Sequence, residues 1–228
     1  ALPIYYTYKV CYKTFFNFKR IIMKNKLNTA LAALFLTTSS FTALAAEESS
    51  QGYVGVSAGK SDIDTGIGSL TGTASLDESD TGIKIFAGFN INENFAIEGH
   101  YADLGEFSLS GNTNDTFVDE GTTYTFLVDN VKVAMKVKSI GVAGIYKFNI
   151  DDTITPFVKL GIQRWDEKIT VSVGTVSGSA EDDGTDPFYG LGASVSAADN
   201  IDVRAEFERF KGDDGHLDYA SVGIAYNF

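Results

Sequence analysis

The sequence predicts an all-β fold, namely an eight-stranded antiparallel up-and-down transmembrane β-barrel. Three observations lead to this prediction. Eight segments alternate, residue by residue, between apolar side chains and polar or small ones, which is the period of a β-strand with two different faces. Each segment is about 9–13 residues long, the length that a tilted strand needs to cross a bilayer. The connections between the segments are alternately short and long.

Two segments before the barrel are predicted to be absent from the mature fold. Residues 1–22 precede the first methionine and read as an upstream extension of the coding sequence or, alternatively, as a long basic leader region. Residues 23–45 have the layout of a secretory signal peptide, with a basic start, an apolar core and small residues at Ala43 and Ala45. The alternative for this segment is a short hydrophobic helix. We expect cleavage near Ala45 and a mature barrel domain at 46–228.

Removal of these segments changes the charge of the chain. The whole sequence carries 18 Lys and Arg and 30 Asp and Glu. Six of the basic residues and none of the acidic ones lie in 1–45, so the mature chain has a net charge of 12 − 30, or −18. Such a charge excludes nucleic-acid binding through counterion release. The single cysteine, Cys11, is also removed, so we expect neither a disulfide nor thiolate chemistry.

The connections between the predicted strands indicate which kind of barrel this is. The strands are 52–60, 81–91, 94–105, 138–150, 153–165, 187–197, 200–211 and 217–228. Short turns rich in Asn and Asp follow the second, fourth and sixth strands. Polar loops follow the others, at 61–80, 106–137, 166–186 and 212–216, and only the last is short. Outer-membrane barrels have such short turns on the periplasmic side and long loops outside. A soluble β-sandwich, the alternative, gives no reason for this regularity.

The strands have one apolar face and one polar or small face. The apolar faces of the second, third, seventh and eighth strands carry Ile83, Ile85, Ala87, Phe89 and Ile91; Phe95, Ile97, Gly99 and Tyr101; Ile201, Val203, Ala205 and Phe207; and Ala220, Val222, Ile224, Tyr226 and Phe228. Aromatic residues cluster at strand ends, as they do at the two interfaces of a membrane. The polar faces mix opposite charges with glycine, which suits a narrow lumen filled by ion pairs. Together these features favour lipid on the apolar side.

The predicted lumen is the main candidate site. An eight-stranded barrel is just wide enough to be filled by its own side chains. The polar side chains expected to point inward and to pair across the lumen are Lys84, Glu98, His100, Lys147, Lys159, Arg204, Glu206 and Glu208. They predict a structural polar core, and the alternative is a narrow, gated ion-conducting path through the same charges.

One loop is too apolar to be irregular. Within the stretch 124–138, residues 131–138 ("VKVAMKVK") continue the alternation of the fourth strand, so we expect the third and fourth strands to extend past the membrane as a hairpin. In that register Lys132, Lys136 and Lys138 point outward with Ile140. We expect these lysines to lie near lipopolysaccharide phosphates, and the alternative is a hairpin that faces only water.

Catalytic and metal-binding patterns are weak. His216 lies in a turn with Asp213, Asp214 and Asp218, but outer-membrane omptin proteases place acidic pairs on opposite walls of larger barrels. The His-x-Ser motif of lipid A deacylases is absent after both His100 and His216. The acidic stretches 75–80 and 180–186 lack the spacing of an EF-hand and are expected to be solvated loop tips. We therefore expect no enzyme, no metal site and no cofactor, with a membrane-embedded hydrolase as the least favoured function.

Several stretches resemble a known family. They are "NENFAIEGHYADLG", "ITPFVKLGIQRW", "NIDVRAEFERFK" and the final "YASVGIAYNF". With them, residues 52–228 resemble the OmpA/OmpX-type small outer-membrane β-barrels. The aromatic end, with Tyr226 and Phe228 on alternate positions, resembles the signal that the outer-membrane assembly machinery recognises in that class.

The resemblance implies a non-enzymatic protein of the outer membrane of a Gram-negative bacterium. It implies a structural or surface-interacting role, such as envelope integrity or adhesion. The expected partners are outer-membrane lipid and lipopolysaccharide, the assembly machinery and an unknown extracellular ligand of the loops. We expect a monomer, without nucleic acid.

Overall fold

The structure is a computed structural model that describes residues 52–119, 121–149, 153–212 and 215–228. The predicted extension, the predicted signal peptide and its cleavage point lie outside these ranges, as do Asp213 and Asp214. Within the described ranges there are twelve strands and no helix. The strands are β1 (Gly52–Ile63), β2 (Ile67–Leu70), β3 (Ser75–Asp77), β4 (Ser79–Asn90), β5 (Phe95–Gly111), β6 (Thr116–Asp119), β7 (Thr122–Thr125), β8 (Val131–Lys147), β9 (Ile154–Val173), β10 (Val176–Ala198), β11 (Ile201–Lys211) and β12 (His216–Asn227).

Eight of these strands form a closed antiparallel barrel. Following the chain, β1, β4, β5, β8, β9, β10, β11 and β12 each pair with the next, and β12 pairs with β1. The closing register runs from Tyr53 opposite Asn227 to Ile63 opposite Leu217. The predicted eight-stranded up-and-down barrel is therefore confirmed. The turns after β4, β8 and β10 lie at one end of the barrel, which we call the short-turn end, and the longer loops lie at the long-loop end.

The outside of the barrel is apolar. Large apolar side chains on the barrel strands face outward, and some are more than half exposed, for example Leu160 at 68%, Leu191 at 61% and Val222 at 60%. The inward faces carry buried polar and charged side chains instead. Contiguous apolar surface on every strand needs an apolar solvent, and a closed sheet is what a bilayer tolerates because no backbone group is left unpaired. None of the described residues forms a helix long and apolar enough to span a membrane.

The apolar belt ends at one level around the barrel. Towards the long-loop end the outward positions change to charged residues on adjacent strands: Lys60, Asp103, Lys138, Arg164, Arg209 and Asp218. The strands continue beyond this level into water, so the belt marks the part of each strand that lies in the hydrocarbon.

One of the predicted loops is wrong in extent. The stretch 166–186 is not an irregular loop, because β9 and β10 pair without a register shift up to Val173 and Val176 around a turn with Gly174 at a φ of 57°. The acidic residues of 180–186 consequently lie in β10, not at a loop tip. The predicted extension of the third and fourth strands past the membrane is confirmed, because β8 begins at Val131 and pairs with β5 up to Gly111. Both extensions lie in water, where apolar alternation is not needed to stabilise a strand.

The first two long loops fold together into a small sheet, which we call the head. The head has the strand order β2, β6, β7 and its own apolar core of Phe117, Phe126 and Val131. Asp115 ties the two loops together, because its carboxylate accepts hydrogen bonds from the backbone and hydroxyl of Thr73 and from the backbone of Asn112. These bonds favour the charged form and hold the pKa of Asp115 below its usual value.

Glycine makes room for the large interior side chains. Gly88 faces Tyr53 across β1 and β4, and a Cβ atom at Gly88 would lie 2.1 Å from the Tyr53 ring. A Cβ atom at Gly144, on the outer face of β8, would meet nothing within 4 Å.

We expect Gly88→Ala to destabilise the barrel by about 1–3 kcal/mol, because it overpacks the interior. Gly144→Ala is the matched control and should change little. Urea unfolding in detergent micelles, followed by the fluorescence of the single tryptophan, Trp165, measures both. Equal unfolding midpoints for the two variants would contradict the conclusion that Gly88 makes room for the Tyr53 ring.

Candidate functional site

Six charged side chains meet in the middle of the barrel. They are Lys84, Glu98, Lys159, Arg204, Glu206 and Glu208, and each is at most 6% exposed. The three cations balance the three carboxylates. Charges removed from water are tolerated only when they are paired and hydrogen-bonded, so this balance is a condition for burying them. We call this set the interior ion network.

Lys159 is the centre of the network. Its Nζ donates to Glu98 Oε1 at 2.7 Å, to Glu206 Oε2 at 2.6 Å and to Glu208 Oε1 at 3.0 Å. Lys84 Nζ donates to Glu206 Oε2 at 2.9 Å and also to Glu208. The carboxylates therefore come from β5 and β11 and the lysines from β4 and β9, so the network crosses the lumen and joins four of the eight strands.

Arg204 completes the network on the short-turn side. Its Nη1 donates to Glu98 Oε2 at 2.8 Å, and its Nη2 lies 3.0 Å from Glu206 Oε1. The guanidinium carbon lies 4.4 Å from the ring centre of Phe86 and 4.8 Å from that of Phe157. Aromatic faces attract the cation and exclude water from it.

Aromatic residues also flank the network on the long-loop side. Lys84 Nζ lies 5.9 Å from the Tyr219 ring centre, and Phe188 and Phe210 stack with their centres 5.4 Å apart. Aromatic side chains thus lie both above and below the charges.

Two predicted members lie outside the interior ion network. His100 is buried beside Phe188, and its Nε2 is 3.0 Å from Ser139 Oγ. Ser139 in turn donates to Gln163 Oε1 at 2.5 Å, so His100 takes part in a neutral hydrogen-bond chain and not in an ion pair. Lys147 lies at the short-turn end, half-buried, and donates to Asn90 Oδ1 at 2.6 Å. The alternation of the strands predicted that both residues point inward, but it did not predict their height in the barrel.

Basic side chains face outward just above the apolar belt. Lys132 and Lys136 form exposed ion pairs with Glu106, at 3.2 and 3.5 Å, and Lys138 lies 3.9 Å from Asp103. Sequence reasoning missed Lys168 and Arg164 on β9, which face the same way because β8 and β9 are adjacent; Lys136 lies directly opposite Lys168. The sequence analysis assigned 166–186 to a loop, so it did not recognise that β9 continues to Val173 and turns Lys168 outward. We call the five cations the outer basic patch.

The last residue of the chain is held firmly. The Phe228 backbone N–H donates to Gly52 O at 2.9 Å, and Gly52 N–H donates to Phe228 O at 3.2 Å. Tyr226 pairs with Val54 and is exposed on the apolar belt. The role of Tyr226 and Phe228 as an assembly signal stays a prediction.

The described residues contain no group of three or more His, Cys, Asp or Glu arranged to hold a metal ion. His216 begins β12, and Asp218 accepts two hydrogen bonds from Arg209, each at 2.6 Å. Asp218 is therefore engaged in an ion pair instead of being free for catalysis.

One long strand edge is left open above the belt. β10 pairs with β11 only from Phe188 onward, whereas its residues 176–187 pair with β9 alone. Pro187, which has no N–H to donate, is the residue at which the β11 partner is lost. In an antiparallel strand every second residue turns its N–H and C=O away from its partner, so this edge displays unpaired backbone groups. We call residues 176–187 the open edge.

A pair of carboxylates lies on the inner face of the same hairpin. Glu167 on β9 is directly opposite Asp182 on β10. Its neighbours on that face are Trp165, Ile169 and, across β8, Val137, while Lys136 and Lys168 point outward. Burial, and then the charge of Asp182, raise the pKa of Glu167 to about 7.

Comparison with known proteins identifies the family. A model of the outer membrane protein beta-barrel domain matches residues 30–228. The chain belongs to this family. Outer-membrane location follows from this membership. No curated protein matches the sequence.

Several solved structures are similar to this chain. OprG from Pseudomonas aeruginosa is 8% identical with a TM-score of 0.50, over 78% of this chain and 98% of that one. Ail, the attachment invasion locus protein of Yersinia pestis, solved with the heparin analogue sucrose octasulfate, is 17% identical with a TM-score of 0.48, over 78% and 99%. Neisserial surface protein A is 18% identical with a TM-score of 0.48, over 78% and 97%.

We expect Lys159→Met to destabilise the barrel by about 3–5 kcal/mol, because three buried carboxylates then share two cations. Lys60→Met removes an exposed lysine whose ion pair with Asp62 is in water, and should change little. Urea unfolding from lipid vesicles measures both variants. A Lys159→Met barrel as stable as Lys60→Met would refute the central role of Lys159.

We also expect the hairpin β9–β10 to be more stable at pH 5.5 than at pH 8. The pKa of Glu167 is about 7 in the folded chain and near 4.5 when unfolded, so the folded chain binds more protons between these values. Stability therefore falls as the pH rises through this window, by on the order of 1 kcal/mol. Thermal unfolding at both pH values measures it, and Glu167→Gln should lose the dependence. A dependence that Glu167→Gln keeps unchanged would contradict this origin.

Proposed function

We propose that this chain is a non-enzymatic surface protein of the outer membrane of a Gram-negative bacterium, which interacts with an extracellular partner and supports the envelope. In this proposal the signal peptide is cleaved near Ala45, the mature barrel is monomeric, and the short-turn end faces the periplasm. Family membership supports the outer-membrane location. The orientation is proposed because bacterial outer-membrane barrels keep their short turns on the periplasmic side.

The observation that carries the proposal is the open edge. A row of unpaired backbone donors and acceptors is a template for an added strand, and natural proteins usually cover or disrupt such edges. Residues 176–187 are largely exposed and are not covered by any other described part of the chain. An extended segment of a partner could add to this edge through main-chain hydrogen bonds. Glu181 and Asp183 of this strand form exposed ion pairs with Lys168 and Arg164 of β9, so the backbone groups of the edge, and not a net charge, would hold the added segment.

The head adds a second feature that suits surface interaction. It is built from two loops that pack on a common apolar core, so it presents a fixed shape instead of two independent loops. Leu127 is 55% exposed at this end and gives the head an apolar contact point.

The barrel interior supports a structural role more than an ion-conducting one. The charges of the interior ion network bind one another at hydrogen-bond distances, and aromatic rings lie on both sides of them. An ion would have to break several buried charge-assisted bonds to pass, which is costly. We therefore favour envelope support and surface interaction over the narrow pore.

The outer basic patch supports an interaction with lipopolysaccharide. Its cations stand just outside the hydrocarbon, on the side of the membrane that carries lipid phosphates in this orientation. Their present partners, such as Glu106 for Lys132 and Lys136, are exposed, and exposed ion pairs contribute little to stability. Exchange of these carboxylates for phosphates therefore costs little.

The open edge is tested by adherence. Bacteria that display the barrel should adhere saturably to one or more immobilised extracellular-matrix proteins, and Ser179→Pro together with Thr185→Pro should lower adherence at least tenfold by removing N–H donors. Ser179→Ala with Thr185→Ala keeps the backbone donors and should adhere normally. Heat-modifiable gel migration verifies that each barrel is folded. Full adherence of the folded proline variant would refute the role of the open edge.

Lipopolysaccharide contact is tested by thermal unfolding. We expect added lipopolysaccharide to raise the unfolding midpoint of the wild-type barrel, and replacement of Lys132, Lys136 and Lys138 by glutamine to remove most of that rise. Replacement of the same three residues by arginine keeps the charge and should retain it. An unchanged rise in the glutamine variant would show that these lysines do not bind the phosphates.

A further inference from the structure

A polar cavity opens at the short-turn end of the barrel. Its volume is about 160 Å³, and Tyr53, Lys147, Thr155, Ser194 and Arg204 contribute to its wall. A cavity of this size holds several water molecules, so it suits a small ion and not a polymer. The cavity lies outside the interior ion network, on the side of Arg204 that faces the short turns.

Two cations of the cavity wall lie close to the same aromatic residue. Lys147 Nζ lies 5.7 Å from the ring centre of Tyr53, and the guanidinium carbon of Arg204 lies 5.5 Å from the same centre. The two cationic groups are therefore within roughly 11 Å of each other. Two cations held this close in a partly enclosed space favour an anion between them.

Both cations have donors to spare. Lys147 has three N–H donors, and its one hydrogen bond is to the neutral amide oxygen of Asn90. No carboxylate of the described residues lies within ion-pair distance of it. Arg204 is 5% exposed, and its Nε has no hydrogen-bond partner in the described chain, although its Nη atoms are engaged.

Two carboxylates, those of Asp202 and Glu93, also contribute to the cavity wall, but neither forms an ion pair with Lys147 among the described residues. Asp202 accepts from Ser196 Oγ and from Asn227 Nδ2, both at 3.1 Å, so each of its oxygens has a partner. Glu93 is exposed at the mouth of the cavity and forms no ion pair among the described residues. Its negative charge would compete with an incoming anion instead of assisting it.

We propose that this cavity binds a small oxyanion, a phosphate or a carboxylate. Lys147 supplies the charge and two free donors, the hydroxyls of Thr155 and Ser194 supply further donors, and Arg204 adds positive potential from the inner wall. The anion comes from the side of the short turns, either as a free ion or as the terminal carboxylate of a peptide. The proposal is independent of the open edge, which lies at the other end of the barrel.

Nuclear magnetic resonance titration of the barrel in detergent micelles tests it, at constant ionic strength held with sodium chloride. We expect inorganic phosphate to shift the backbone amides around Lys147 and Thr155 saturably, with at least tenfold weaker binding in Lys147→Met. Glu93→Gln should bind several-fold more tightly. Lys60→Met, which removes a lysine at the opposite end of the barrel, should bind as the wild type does.

A short peptide with a free carboxyl terminus, and the same peptide amidated, distinguish the two sources. Binding of the free peptide but not of the amidated one assigns the site to a chain terminus, and binding of phosphate alone assigns it to a free ion. Shifts that are linear in concentration, or equal in wild type and Lys147→Met, would overturn the proposal. Lys147 lies outside the interior ion network, so its variant is expected to fold, which heat-modifiable migration verifies.

Discussion

The constraint on which the structure depends is that no backbone hydrogen-bonding group can be left unpaired in hydrocarbon. The chain meets it by closing the sheet between β1 and β12 over eleven consecutive pairs, from Tyr53–Asn227 to Ile63–Leu217. The hydrogen bonds between Gly52 and Phe228 extend the closure to the last residue. Outward apolar residues and inward polar ones follow from this closure, because each strand then has lipid on one side and the lumen on the other.

A closed barrel of eight strands must also neutralise the charged side chains that it buries in its lumen. The interior ion network does so with three cations and three carboxylates, and Lys159 alone contacts all three carboxylates. Steric fit imposes a second condition. The Tyr53 hydroxyl donates a hydrogen bond to Glu98 Oε2 at 2.9 Å. The Tyr53 ring occupies the space that Gly88 leaves open on the neighbouring strand, so this hydrogen bond depends on the glycine. Charge balance and packing are therefore coupled in the lumen.

Above the apolar belt the constraint is lifted, because water can bond the free backbone groups. There the barrel wall rises on β5, β8, β9 and β10, which stay paired up to Gly111, Val131, Val173 and Val176. β10 leaves β11 at Pro187, and two loops fold into the head. The same unpaired strand edge would not be tolerated a few residues closer to the short-turn end, where the strands lie in hydrocarbon. Features that suit recognition of a partner lie where the membrane no longer dictates the pairing of every strand.

The sequence by itself determined the membrane part of this protein. Period-two alternation identified the eight barrel strands and the inward parity of residues such as Lys84, Glu98 and Glu206, because lipid and lumen impose opposite polarity on neighbouring residues. Alternation carries no information on height or partner, so the sequence could not separate His100 and Lys147 from the interior ion network. Their positions depend on strand stagger around the barrel.

The alternation at 131–138 also predicted the extension of β5 and β8 past the membrane, but only the tertiary structure decided the rest of what lies there. The stretch 166–186 forms a strand pair although its outer face is charged, since pairing with neighbouring strands and not burial holds it. The partners of Lys159 are 47–61 residues away along the chain, and β2 meets β6 across more than forty residues. Contacts over such separations arise from the closed barrel bringing distant strands together, which no local pattern encodes.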